Sequence, residues 1–146
     1  MTIFMKKLNN ISRSQAVYRH SRISSDDLHP AHYAFALAVC QKPGRSQEEL
    51  ARELCLNKST VTRALSCLEE REYIRRDSLP TDKRQFAVYP TDKMLAVLPE
   101  IKRVSDEWMQ LLSEDIDEEE LNVFNSVLER MEKRAREIVA GQEEAK

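Results

Sequence analysis

The sequence predicts a mainly α-helical fold interrupted by one short β-hairpin, and three observations carry that prediction. Two short amphipathic helical stretches with a tight turn between them lie within residues 45–90, a charged hairpin closes the same block, and longer runs of helically spaced apolar residues follow it. A length of 146 residues suits one domain, and 41% hydrophobic with 33% charged residues is ordinary for a soluble globular chain.

In chain order, Ile11, Ala16 and Val17 mark an N-terminal helix, and His29 stands before Pro30 at the expected start of another. Ser46, with Glu49 three residues later, satisfies the capping-box pattern and leads into Leu50, Ala51 and Leu54, so a short helix begins at about Gln47. Leu56 then breaks the apolar spacing. Asn57 is a favoured cap whose side chain can accept a hydrogen bond from the free amides of a helix starting near Lys58. In that second helix Val61, Leu65 and Leu68 recur at helical spacing and can pack on the first, leaving Lys58, Ser59, Thr62, Arg63 and Ser66 on the other faces.

After Tyr73 the pattern turns to strands at 74–77 and 85–89, the second alternating Phe86 and Val88 with Ala87 and Tyr89. Between them Pro80, Thr81 and Asp82 are turn formers, and Lys83 and Arg84 project just past the tip. A helix is expected over 91–113, with Leu95, Leu98, Ile101, Trp108, Leu111 and Leu112 as its apolar positions and Pro99 imposing a kink or an irregular turn. The last helix runs over 117–139, capped by Asp117 with Glu120 as box partner. Its Leu121, Phe124, Leu128, Met131, Ala135 and Ile138 alternate by three and four, which is the seam of a helix that pairs with another.

A short, polar, partly basic helix face suits a major groove, where Lys and Arg meet guanine acceptors or phosphates and small hydroxyl side chains allow close approach. Alone, it is equally an ordinary solvated face. The hairpin shifts the balance toward nucleic acid, because Arg84 could enter a minor groove with Asp82 orienting its guanidinium. The candidate DNA-contacting set is Ser46, Gln47, Asn57, Lys58, Ser59, Thr60, Thr62, Arg63, Ser66, Arg75, Asp82, Lys83 and Arg84.

A formal net charge of −2 looks wrong for such a role until the chain is divided. Residues 1–99 hold 16 Lys and Arg against 11 Asp and Glu, whereas 100–146 hold 7 against 14. A basic first part can track phosphates while an acidic second part stays away from them. The terminal helices carry more apolar area than one small domain covers, so burial between two subunits is expected. Two copies would set their groove-reading helices about 34 Å apart and require a pseudo-palindromic site.

The run PGRSQEELARELCLNKSTVTRALSCLEE, followed by YIRR and by DKRQFAVYPTDK, resembles the MarR (multiple antibiotic resistance regulator) family of bacterial transcription factors. The likeness extends over about residues 11–139, and the D-x-R pattern at Asp82 to Arg84 with Thr91 after the strand is its most specific part. The resemblance implies a single domain over 1–146 that acts as a homodimer on double-stranded DNA. A winged helix-turn-helix would occupy about 30–90, with the helix from Lys58 as recognition helix and the hairpin as wing, flanked by dimerisation helices at about 3–24 and 91–140. Two positions depart from the family pattern. Glu72 stands where glycine usually follows the recognition helix, so it must adopt a left-handed conformation at some cost or end the helix differently. Met94 replaces a glycine after the wing and should alter local packing.

The same resemblance implies repression relieved by a small aromatic or anionic effector, bound where the dimerisation helices meet the winged domain. The wall there would include Tyr18, His29, His32, Tyr33 and Trp108, each of which core or hinge packing also explains. Control by cysteine oxidation is the alternative, with Cys67 on the recognition helix ahead of Cys40 and Cys55, although the family's N-terminal sensing cysteine has no counterpart. A reading from another class makes the winged domain a protein-interaction module that docks a partner through Lys58, Thr62, Arg63, Lys83 and Arg84.

Catalysis is not expected, since no nucleophile and base arrangement can be named and the only glycines, Gly44 and Gly141, form no phosphate-binding loop. No cofactor or metal is expected either, because His29 and His32 lack a third ligand at a suitable spacing. No segment approaches the ~20 apolar residues of a membrane span, and no apolar signal core follows Lys6 and Lys7. Three cysteines without a C-x-x-C pair suit a reducing compartment, so a cytoplasmic location is expected.

Overall fold

The computed structural model describes residues 3–23 and 27–145; residue 24, the expected end of the N-terminal helix, lies outside them. Helix α1 spans Ile3–Arg22 and buries none of its side chains. His29 then caps a single 3-10 turn, Pro30–His32, its Nδ1 accepting from the Ala31 amide at 3.1 Å. The turn runs into α2, Tyr33–Gln41, which places Tyr33, Phe35, Ala36, Ala38 and Val39 in the core. The sequence marks a helix start at His29 and Pro30 but not the extent of this helix, because a segment so nearly all apolar shows no helical period.

A two-residue strand, β1 (Arg45–Ser46), also escaped the pattern, being too short to alternate. Gly44 precedes it at φ +88, a conformation that favours glycine, and donates its amide to the Val88 carbonyl at 2.8 Å. Helix α3 covers Gln47–Leu54, with the Ser46 hydroxyl accepting from the Glu49 amide at 3.2 Å. Helix α4 covers Lys58–Glu70, with Asn57 Oδ1 accepting from the Thr60 amide at 2.8 Å. Both start as the capping residues dictate.

Both helices also end alike. Cys55 (φ 54) and Glu72 (φ 64) take left-handed conformations, and the amides of Leu56 and Tyr73 reach back to the carbonyls of Ala51 and Leu68 at 3.0 and 2.8 Å. These are the six-to-one bonds of a Schellman ending, made without glycine. Glu72 therefore takes the strained alternative of the two the sequence left open.

Strand β2 is Ile74–Ser78 and β3 is Phe86–Pro90, giving an antiparallel sheet in the order β1-β3-β2 with Arg76 opposite Val88 and Ile74 opposite Pro90. The second strand begins one residue later than expected, since Gln85 belongs to the turn: its amide donates to the Asp82 carbonyl at 3.1 Å. Helix α5, Asp92–Leu112, continues through Pro99 as one helix. Thr91 caps it, accepting from the Met94 amide at 3.4 Å while its own hydroxyl contacts the carbonyls of Glu72 and Tyr73 at 2.6 and 2.9 Å. Met94 is fully buried.

The core gathers Leu50, Val61, Leu65, Leu68, Ile74, Val88, Met94, Ile101 and Val104 around α2. The chain divides into two compact units, Met1–Trp108 and Met109–Lys146. The second consists mainly of α6, Glu118–Glu144, which Asp117 caps by accepting from the Glu120 amide at 3.0 Å and which runs five residues past its expected end at 139. No residue of α6 is buried. Among the described residues no helix is long and apolar enough to cross a membrane.

Candidate nucleic-acid interface

The start of α3, the N-terminal part of α4 and the wing formed by β2, β3 and their connecting turn line a cleft of about 250 Å³. Its walls bring together five of the predicted residues: Ser46, Gln47, Lys58, Thr62 and Arg84. Lys58 and Arg84 are exposed cations, and Lys58 reaches Glu48 Oε1 only at 3.5 Å with its side chain 82% accessible. A surface pair so open contributes little and leaves the ammonium available to an anion. The start of α4 holds no acidic side chain in its first turn, so its free amides add to the positive field.

The other predicted residues fall outside the cleft. Ser59, Arg63 and Ser66 are exposed on α4, and Lys83 is exposed on the wing turn. Asn57 and Thr60 are joined to each other as cap and capped amide. Arg75 projects from the opposite face of β2, pairing with Asp77 Oδ2 at 3.2 Å with its guanidinium 4.6 Å from the Tyr89 ring centre. The expected contact between Asp82 and the Arg84 guanidinium is replaced by another: Asp82 Oδ1 accepts from the Arg84 backbone amide at 2.9 Å. A short Asp side chain two residues ahead closes an Asx-type turn more readily than it reaches a long guanidinium.

Arg76 is the residue the sequence reading missed. Its guanidinium donates to Glu69 Oε1 and to Gln47 Oε1, each at 3.0 Å, and lies 5.6 Å from the Phe86 ring centre, while its amide donates to Glu69 Oε2 at 3.1 Å. The hydrogen bond from Arg76 holds the Glu69 carboxyl below the usual carboxylate range. A signal existed, since strand alternation puts Arg76 on the face of buried Ile74 and Arg75 on the face of Asp77. Gln47 in turn donates from Nε2 to Thr62 Oγ1 at 3.5 Å.

The residues expected to line an effector site form two groups. Tyr18 packs against Trp108 with ring centres 5.2 Å apart, donates to Glu107 Oε1 at 2.7 Å and carries the Arg22 guanidinium 4.3 Å above its ring. Glu107 also pairs with Arg22 at 2.7 Å and Arg103 at 3.1 Å; the Tyr18 hydroxyl, with these cations, pulls its carboxyl below the usual range. His29 and His32 lie 5.8 Å apart, His32 meets Phe35 edge-on, and burial lowers the His32 pKa. Tyr33 is buried in the core at 1% exposure. Cys55 is exposed, Cys67 is half-buried, and burial pushes the half-buried Cys40 thiol up. Among the described residues no group of three or more His, Cys, Asp or Glu could hold a metal ion.

Residues 39–86 match the model of the MarR family. The transcriptional regulator HosA of Escherichia coli O111:H- is 32% identical over 109 residues, spanning 72% of this chain and 78% of HosA. A MarR transcriptional regulator from Methanosarcina mazei Go1 superposes with a TM-score of 0.83 at 25% identity, covering 92% of this chain and 97% of that one. The fold also matches a putative MarR family regulator from Listeria monocytogenes complexed with a 26mer DNA, at TM-score 0.86 and 20% identity, over 94% of this chain and 91% of that one.

Proposed function

Because the chain belongs to the MarR family of transcriptional regulators, we propose that it is a repressor. It would bind a pseudo-palindromic operator as a homodimer through α4 and the wing, and a small aromatic or anionic ligand would release it. The observation that carries this reading is the cleft in which α4 and the wing set Lys58, Thr62 and Arg84 side by side. A phosphate backbone supplies anions for Arg84 and for Lys58, whose open pair with Glu48 holds it only weakly, and a major groove admits a helix whose outer face carries Ser59, Thr62, Arg63 and Ser66. Arg75 and Lys83 would position the protein on phosphates rather than read bases, and Asp82 would serve by holding the wing turn that carries Lys83 and Arg84. Such a protein works where the DNA is, in the cytoplasm.

Release by a ligand rests on the group around Tyr18, Trp108, Arg22 and Arg103. An aromatic acid could stack on the rings and take the place of Glu107 opposite the guanidiniums. Control by oxidation through Cys40 has less support, because a thiol raised by burial holds little thiolate to oxidise, which leaves half-buried Cys67 and exposed Cys55 as the candidates for that alternative.

The deciding experiment is titration of operator DNA at several salt concentrations with wild-type protein and Arg84→Ala. Weaker binding and a log–log salt slope smaller by about 1 are expected for one lost phosphate contact. Equal affinity and slope would leave the hairpin inert and favour the protein-docking module. For the effector, aromatic acids should lower operator affinity; a broad panel without effect, with loss of affinity on peroxide treatment, would transfer control to the cysteines.

A further inference from the structure

The side chains on the cleft floor form a chain in which the direction of every hydrogen bond is fixed. A guanidinium can only donate, so the atom of Gln47 that faces Arg76 Nη1 at 3.0 Å must be the amide oxygen. The Gln47 amide nitrogen is then turned to Thr62 Oγ1, and a nitrogen of that kind can only donate. Thr62 must accept. Its one hydroxyl proton is left for another partner.

Inside a helix that proton can return to the carbonyl four residues earlier, as it does at Ser105, which donates to Ile101 at 2.8 Å. Among the described residues Thr62 makes no such bond, and its side chain is exposed on the cleft wall. We infer that Thr62 presents its hydroxyl proton to the groove as a hydrogen-bond donor, with Arg76 and Gln47 as the positioning residues that favour this polarity by occupying one of its lone pairs. The inference rests on the DNA-reading proposal and adds a specificity to it. Thr62 would select a base edge that accepts, such as purine N7, guanine O6 or thymine O4, over the exocyclic amines of cytosine and adenine.

Anchoring at the far end supports the assignment. Glu69 accepts from Arg76 through both oxygens, so the guanidinium that orients Gln47 is itself held in place.

The test is selection of binding sites from randomised duplex DNA with wild-type protein, Gln47→Glu, Arg76→Gln and Thr62→Val. The carboxylate of Gln47→Glu still meets Arg76, but its second oxygen can only accept, so Thr62 must turn its proton inward and face the groove as an acceptor. One symmetric pair of operator positions should switch from an accepting to an amine-bearing edge while the rest of the site is unchanged. Arg76→Gln and Thr62→Val should flatten the preference at that same pair by roughly threefold to tenfold, the worth of one hydrogen bond. If Gln47→Glu weakens binding evenly and selects the wild-type site, the inference is overturned. A wild-type protein that enriches no sequence overturns the DNA-reading proposal together with it. Melting curves confirm that each variant folds, and the near-isosteric Gln47→Glu decides the matter even if Arg76→Gln does not.

Discussion

Glu72 holds a φ of 64 at the end of α4, in the region where a Cβ costs about 1–2 kcal/mol. The surrounding bonds enforce it: the Glu72 amide donates to the Glu69 carbonyl at 3.0 Å, and its own carbonyl accepts from Thr91 Oγ1 at 2.6 Å. Since both engage only the backbone of Glu72, glycine can make them without the side-chain penalty, at an entropic cost of roughly 0.5–1 kcal/mol. Glu72→Gly should therefore raise Tm by about 1–3 °C with operator affinity unchanged, as differential scanning calorimetry and a binding titration would show. A lower Tm would mean the Glu72 side chain contributes more than its conformation costs. This site was legible in the sequence as a departure from the family pattern, although which of two outcomes it took was not. Cys55, with the same geometry, gave no such sign, because nothing in Leu54, Cys55 and Leu56 announces a left-handed residue.

At the scale of elements, Arg76 fastens the wing to the helix pair, since one guanidinium from β2 bonds Glu69 of α4 and Gln47 of α3. The Arg76 side chain is 17% accessible and Glu69 40%, so water weakens the pair and its net worth is about 1 kcal/mol or less. Arg76→Gln should then lower Tm at neutral pH by roughly 1–4 °C. The pH dependence has a definite sign. Glu69 has a depressed pKa in the folded protein, so its contribution is complete above the ordinary carboxylate value of about 4.3 and is lost as pH falls through the depressed one. The gap in Tm between wild type and variant should therefore be full at pH 6–7, as ~2 units above that ordinary value suffice, and should narrow below about pH 4. A gap independent of pH would remove Glu69 from the account. Caps and periodicity made α3, α4, α6 and the hairpin legible, because each signal is local to a few residues. Arg76 pairs with residues 7 and 29 positions away, and no local pattern announces contacts at those separations.

For the whole molecule, the decisive fact is how much apolar surface each unit leaves in water. In the second unit Val123, Phe124, Val127, Met131 and Ile138 of α6 are 43–65% exposed, and in the first Ile3, Met5, Ile11 and Val17 of α1 are 42–73% exposed. Isolated helices with such faces are marginal in water, and tertiary packing normally supplies their stability. The seam at Phe124, Leu128, Met131 and Ile138 was legible in the sequence, yet the single chain buries none of it. The pattern records a need for a partner without naming it. On the proposed function a second copy is the economical occupant, because reading a two-fold operator would need two recognition helices and the acidic terminal part would keep the joining region off the phosphates. Phe124→Glu with Met131→Glu puts two charges into that seam, where each unpaired carboxylate would have to be desolvated on assembly. Sedimentation analysis should then find a monomer of 17.0 kDa in place of a dimer. Operator affinity should fall by at least 100-fold, since one recognition helix must hold alone what two held together. The helical circular dichroism of the variant should survive, because no residue of α6 belongs to the buried core. A variant that stays dimeric and binds the operator normally would move the interface away from α6 altogether.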